Sequence, residues 1–296
     1  MYQSRFILFA LFTTISSLWS HDPMLHFSAP EEVSPAESDS SSPESGKKII
    51  APIEEKWWRA SLSTGWQSRM IHYGVSETGS SGAYTTSLTA LAKGFSINVW
   101  SGVGTGNDYL EWDFTGAYTL DLGPVFLIPG YNFRYQPGHV EGGHDHAEES
   151  HESGEHHEED AEESSEGGHS DLVYNNEIFL IAGVSTIPYV TPSLGVISNL
   201  NNAPGVFLEF RLDGDVPLYK DIVSLQPYAL LGVNLGYNSS DSLGWNNFQI
   251  GLEAKWKINR IIDIFAGVNY SVAMTALRDI EQGNEVWANV GVTFSY

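Results

Sequence analysis

From residue 56 onward, apolar and polar side chains alternate along the chain with a period of two. In 245–257, Phe248, Ile250, Leu252, Ala254 and Trp256 interleave with Asn247, Gln249, Gly251, Glu253 and Lys255. Successive side chains of a strand point to opposite faces, so such a segment is a strand with one greasy and one wet side. The same alternation runs through 261–273, 224–237 and 109–120. It returns in the last stretch, where Val286, Ala288, Val290, Val292, Phe294 and Tyr296 oppose Trp287, Asn289, Gly291, Thr293 and Ser295. Helical spacing matches none of these segments.

Twelve segments of this kind follow one another: 57–70, 83–92, 94–102, 109–121, 124–136, 173–184, 188–198, 204–213, 224–237, 245–257, 261–273 and 285–296. Strands of about ten residues in even number, joined alternately by short and long connections, are the pattern of a membrane barrel. The short connections are Ala92-Lys93, Leu122-Gly123, Ser185–Ile187 and Asn259-Arg260, and the long polar ones are 75–82, 103–108, 137–171, 238–244 and 275–284. Only 214–223 is longer than this scheme predicts. A soluble β-sandwich also alternates. Here the apolar faces carry Trp58, Trp66, Trp112, Trp256, Phe294 and Tyr296, several near strand ends where an aromatic girdle sits. The chain also stops on Tyr296, as a strand sealing a barrel in lipid would. The predicted fold is therefore all-β: a single antiparallel up-and-down transmembrane β-barrel of about twelve strands spanning 56–296.

The first twenty residues change the compartment. Arg5 precedes the apolar run Phe6 to Phe12, and small residues lie near Ser17 and Ser20, the order of a secretory signal over 1–20. Residues 21–55 are rich in Ser, Glu and Pro without periodicity and predict a disordered periplasmic leader. The expected location is the outer membrane of a Gram-negative bacterium. There is no cysteine, which excludes disulfides and thiolate metal sites. The formal charge of −23 disfavours nucleic-acid partners, leaving membrane lipid and small solutes. Much of that charge is local: 139–171 holds thirteen acids and no Lys or Arg.

Ser61-Leu-Ser-Thr-Gly65-Trp-Gln-Ser68-Arg69, with Tyr73-Gly74, Leu88-Thr-Ala and Phe95-Ser-Ile-Asn-Val-Trp100-Ser, resembles the opening strands of the TorF-type porins of Gram-negative outer membranes. Glu111-Trp-Asp113-Phe-Thr-Gly116-Ala-Tyr118 is similar to that family's acidic fourth strand. The resemblance covers 56–135, and the histidine-rich insertion is outside it. It implies a porin-like outer-membrane protein and supplies no catalytic residue.

Strand parity puts Arg59, Arg69, Arg134, Arg211 and Lys255 on the inward face, with Glu111, Asp113, Glu177, Glu209, Glu253 and Asp263. Five bases against six acids predict a nearly neutral, narrow lumen whose charges pair across it. Such a lumen either passes small solutes selectively or is packed shut, in which case the barrel is a scaffold. Enzymatic chemistry is not expected. His72 is the only barrel histidine, and with Ser68 it falls by parity on the lipid side. No Gly-x-Ser-x-Gly or His-Glu-x-x-His motif occurs. The segment 137–171 holds seven of the ten histidines. Its core, His144, His146, His151, His156 and His157 among carboxylates, has ligand types that suit Zn, Ni or Cu. Composition alone favours the plainer reading, a solvated, self-repelling outer loop with no cofactor at all. Calorimetric titration of Zn into a peptide of 139–171 separates the two. Capture releases protons at neutral pH and is lost below about pH 5, where imidazoles are charged; a solvated loop binds nothing.

Overall fold

The computed structural model describes residues 57–137, 173–201, 205–219, 222–237 and 243–296. The expected signal, leader and histidine-rich segment therefore lie outside the described residues. β1 (Trp58–Gln67) is followed by a small hairpin, β2 (Ile71–His72) and β3 (Val75–Ser76). The wall continues through β4 (Ala83–Ala92), β5 (Phe95–Gly104), β6 (Leu110–Tyr118) with its extension β7 (Leu120–Asp121), and β8 (Val125–Gln136). β9 (Val173–Val184), β10 (Val190–Asn199) and β11 (Val206–Gly214), extended by β12 (Val216–Tyr219), form the next arc. β13 (Val223–Leu235), β14 (Gly244–Lys257), β15 (Ile262–Ala273), a single helical turn α1 (Thr275–Arg278) and β16 (Glu285–Ser295) complete it.

Every neighbour in the sheet is antiparallel, and the order closes on itself. β1 pairs with β16, from Ser61 opposite Ser295 to Gln67 opposite Asn289, and β11 pairs with β13. Counting each extension with its parent strand, the structure is a closed barrel of twelve strands, as the alternation predicts. Both ends of the barrel sequence lie at one rim, where the rings of Trp58 and Tyr296 are 5.7 Å apart. This is called the terminal rim below, and the other the loop rim.

The strands fall where the period-two pattern puts them, but two connections differ. The long 214–223 connection resolves once β12 is seen to continue the wall and pair with β13, so that only three residues separate Tyr219 from Val223. Asp215 and Pro217 disguise the continuation, and an irregular register at Pro217/Tyr219 marks it. At the first hairpin the turn is Lys93-Gly94 rather than Ala92-Lys93. Both residues have positive φ, +50° and +86°, as the two-residue turns that suit twisted hairpins require.

The outward face is apolar. Leu88, Ile97, Phe114, Ile178, Phe210, Ile250, Val268 and Val290 are all exposed, in a continuous belt no water-facing sheet would present. The inward face has two characters. Along β1, β4, β5, β14, β15 and β16 it is mainly a hydroxyl and amide wall. Ser63 and Thr293 hydroxyls lie 2.6 Å apart, and Asn98 donates to Ser87 and Thr89 at 2.6 and 2.8 Å. Along β8 to β11 it carries an apolar cluster, with Phe126, Ile128, Phe179, Ile181, Ile197 and Phe207 buried together, beside the buried charges Arg134, Glu177, Glu209 and Arg211. That apolar cluster is not read from the alternation, whose inward sets are mostly polar or glycine.

Inward glycines make room for these rings. Gly130 lies directly opposite Phe179, Gly183 opposite Phe126, Gly251 opposite Tyr228 and Gly291 opposite Phe265. A Cβ at any of the four would overlap the facing ring, so glycine lets the aromatic lie flat on the neighbouring strand. Gly130→Val is predicted to destabilise the barrel by about 1–3 kcal/mol through overpacking. Gly116, whose Cβ direction meets nothing within 4 Å, should accept alanine within about 0.5 kcal/mol. Urea unfolding of the two variants in lipid vesicles measures the difference.

Candidate functional site

The loop rim is filled from within by the chain that joins β1 to β4. Parity carried past Gln67 would place His72 on the lipid side. The chain instead leaves the wall at Ser68 and folds inward, so Met70 and Ile71 are fully buried, Tyr73 is 3% exposed and His72 only 5%. The β2–β3 hairpin turns at Tyr73-Gly74, both with positive φ (+45° and +81°). For a bulky residue such as Tyr73 that conformation is unfavourable by about 1–2 kcal/mol. What holds it is packing. The Tyr73 ring sits among His72, Phe207 and Tyr237, with centroids 4.0, 4.6 and 4.8 Å away. Its carbonyl accepts from Asn246 Nδ2 at 2.6 Å. Glycine is required next, because a Cβ on Gly74 would run into Leu277 of α1. Thr78 pins the base of the plug, accepting from the Met70 N–H at 2.9 Å and donating to Ser81 O at 2.6 Å.

Beneath the plug, Arg134 gathers three of the side chains that parity points inward. Its Nε is 2.8 Å from Glu111 Oε1 and 3.5 Å from Asp113 Oδ1, and Nη2 is 3.6 Å from Glu177 Oε1. Asp113 is directly opposite Arg134 in the β6–β8 register. Nη1 lies 2.9 Å from His72 Nδ1, so this arginine ties the plug to the wall. Glu77, also on the plug, is 4.0 Å from the same imidazole nitrogen. Glu111 and Glu177 are 0% exposed, and burying them is tolerable only because donors surround them. Tyr109 donates to Glu111 at 2.8 Å, Asn175 and Asn132 donate to Glu177 at 3.0 and 3.3 Å, and Tyr237 also donates to Glu177. Burial, reinforced by the adjoining carboxylates, raises the Tyr109 and Tyr237 phenols well above their ordinary range, so both remain donors.

The remaining predicted inward charges form smaller groups. Arg211 Nε donates to both oxygens of Asp213 at 2.8 and 3.0 Å, its Nη1 is 3.5 Å from Glu209, and the guanidinium lies 4.9 Å from the Tyr228 ring centre. Lys255 Nζ is 3.3 Å from Asp263 Oδ2. Arg69 pairs with Glu285 on β16. Arg59 is half-buried near the terminal rim. Glu253 accepts from Asn289 at 3.1 Å. That bond ends a relay running from Gln249 through Tyr228 and Asn269 to Asn289, with links of 2.6, 2.8 and 3.1 Å.

The near-neutral lumen is corrected by three further acids, Glu77, Asp213 and Glu285. Among the described residues, the buried or half-buried charged side chains number nine acids and five bases. Asp213 and Glu285 were visible in the alternation, sharing parity with Arg211 and Trp287. Glu77 had no such signal, because it lies outside any long strand. Expected metal ligands His144, His146, His151, His156 and His157 fall outside the described residues.

No family model matches the chain, and no curated protein does. Among solved structures it is similar to the NanC porin, at 11% identity and TM-score 0.47, over 79% of this chain and 98% of that one. It is similar to the KdgM porin at 9% identity and TM-score 0.46, over 80% and 99%. The translocator domain of autotransporter NalP from Neisseria meningitidis matches at 13% identity and TM-score 0.41, over 82% and 90%. At this level of likeness, function has to be argued from the site itself.

Arg134→Met leaves three buried carboxylates facing one another and is predicted to cost about 3–5 kcal/mol. Neutralising Glu111 and Glu177 to Gln in the same chain should restore part of the loss, as measured by the urea midpoint of the folded barrel.

Proposed function

We propose that this chain is a porin-like, non-enzymatic barrel of the Gram-negative outer membrane that passes small solutes, and that the conformation described here is its closed form. One observation carries the reading: the ionised groups within the wall are gathered inside a sheet with no free edge, while the outside is an apolar belt. Hydrocarbon tolerates a sheet only when every backbone group is paired within it, and a closed barrel meets that condition. The short turns then face the periplasm together with the termini, and the long connections face outward. The resemblance of 56–135 to TorF-type porins agrees with this reading.

The lumen is constricted at two levels, by the Met70–Thr78 plug at the outer mouth and by the Arg134 group below it. Passage requires the plug to move, and its attachment suits movement. Around His72 and Tyr73 it is held by ring contacts, an imidazole–guanidinium contact and the Asn246 hydrogen bond. It is not part of the barrel sheet. A lumen that never opens would instead make the protein an envelope scaffold, and metal capture by the outer histidines is independent of either.

Planar-bilayer recording decides between them. The mature protein should show small, infrequent openings, and Tyr73→Ala should raise the open fraction several-fold without loss of heat-modifiable gel mobility. Folded protein that conducts in neither form overturns the channel reading in favour of the scaffold.

A further inference from the structure

We propose that the lumen selects cations over anions, with the Glu253 carboxylate as the group a permeating cation meets. This rests on the channel reading above and deepens it.

The argument begins with what each charge is already doing. Arg134 is surrounded by three carboxylates, and Arg211 lies between Glu209 and Asp213. Lys255 and Arg69 each have an acid partner, Asp263 and Glu285. An entering anion therefore finds these cationic groups compensated, and approaching any of them brings it against the partner acid. The surplus is negative, at nine acids to five bases among the buried and half-buried described residues. In a narrow lumen walled by low-dielectric protein and lipid, such a surplus acts at longer range than it would in water. Rings of acidic side chains favour cations for this reason.

Glu253 supplies the contact. It projects from β14 opposite Gln226 on one side and Gly267 on the other, where the absent side chain leaves room for the Asn289 amide that reaches it. One oxygen, Oε2, accepts from Asn289 at 3.1 Å. The other, Oε1, is buried and has no hydrogen-bond partner among the described residues. Lys255, two residues along the same strand, has its ammonium on Asp263 instead. A buried carboxylate oxygen without a donor is unfavourable unless a cation or donor visits it. The Gln226 side chain, opposite Glu253 in the register, carries an amide oxygen able to share the coordination of a small monovalent cation, ammonium or alkali ion.

The test is the reversal potential of the full mature barrel in a planar bilayer under a KCl gradient, with potassium as the probe cation. Cation selectivity is expected, with Glu253→Gln shifting the reversal potential towards zero and Glu253→Asp retaining most of the selectivity. A reversal potential at zero or on the anion side in the wild type overturns this inference while leaving the channel reading intact. Cation selectivity unchanged in Glu253→Gln overturns the role given to Glu253. Complete absence of conductance overturns the channel reading, and the selectivity falls with it.

Discussion

The pairing of β1 with β16 is the interaction on which everything else in this molecule depends. An open sheet leaves a row of unpaired amides and carbonyls at each edge, and in hydrocarbon each such group costs several kcal/mol. Here the first and last long strands satisfy each other over Ser61–Gln67 and Asn289–Ser295. Once that seam is closed, every residue has only two directions left, lipid or lumen. The period-two pattern of the sequence is the imprint of that choice.

Closure also explains why the interior can hold so many charges. Without closure, Glu111, Glu177 and Glu209, all fully buried, would have to be buried in lipid or exposed on a sheet face. Inside the barrel they meet Arg134, Arg211 and amide donors at hydrogen-bonding or ion-pair distance. The apolar arc of β8 to β11 does a different job. It gives the inward-folded plug something to pack against, since Tyr73 belongs to the same buried cluster as Phe126, Phe179 and Phe207. A lumen that was polar all round would offer the plug no such seat. The two walls therefore divide the work: one holds the closing segment, and the other carries a hydrogen-bonded line of amides and hydroxyls ending at Glu253.

The strands and their number were legible because lipid makes alternation stark. In β14 and β15 each outward residue is aliphatic or aromatic, and most inward ones are polar or glycine. Legibility failed where the physics stops being periodic. The runs Val125-Phe-Leu-Ile128 and Ile178-Phe-Leu-Ile-Ala182 are apolar on both faces, so the greasy half of the lumen left no contrast to read. His72 was placed on the lipid side by extending the parity of β1 beyond Gln67, but a side chain keeps strand parity only while its backbone is in the strand. The one local hint was Tyr73-Gly74, a dipeptide that suits a tight turn with positive φ at both positions. Turn chemistry reports that the chain reverses there. It does not report that the reversal points into the barrel, which depends on Phe207, Tyr237 and Asn246, more than 130 residues further along the chain.

The most direct measurement exploits a chain with no native cysteine. Ser63 and Thr293 face each other across the seam, with hydroxyls 2.6 Å apart. With Ser63→Cys and Thr293→Cys in one chain, mild oxidation of the membrane-embedded protein should give a fast-migrating, internally cross-linked monomer in high yield. A pair one inward step out of register, Ser63→Cys with Gly291→Cys, should give little. Cross-links found only between chains, or equal yields from both pairs, would contradict a barrel closed by its own first and last strands.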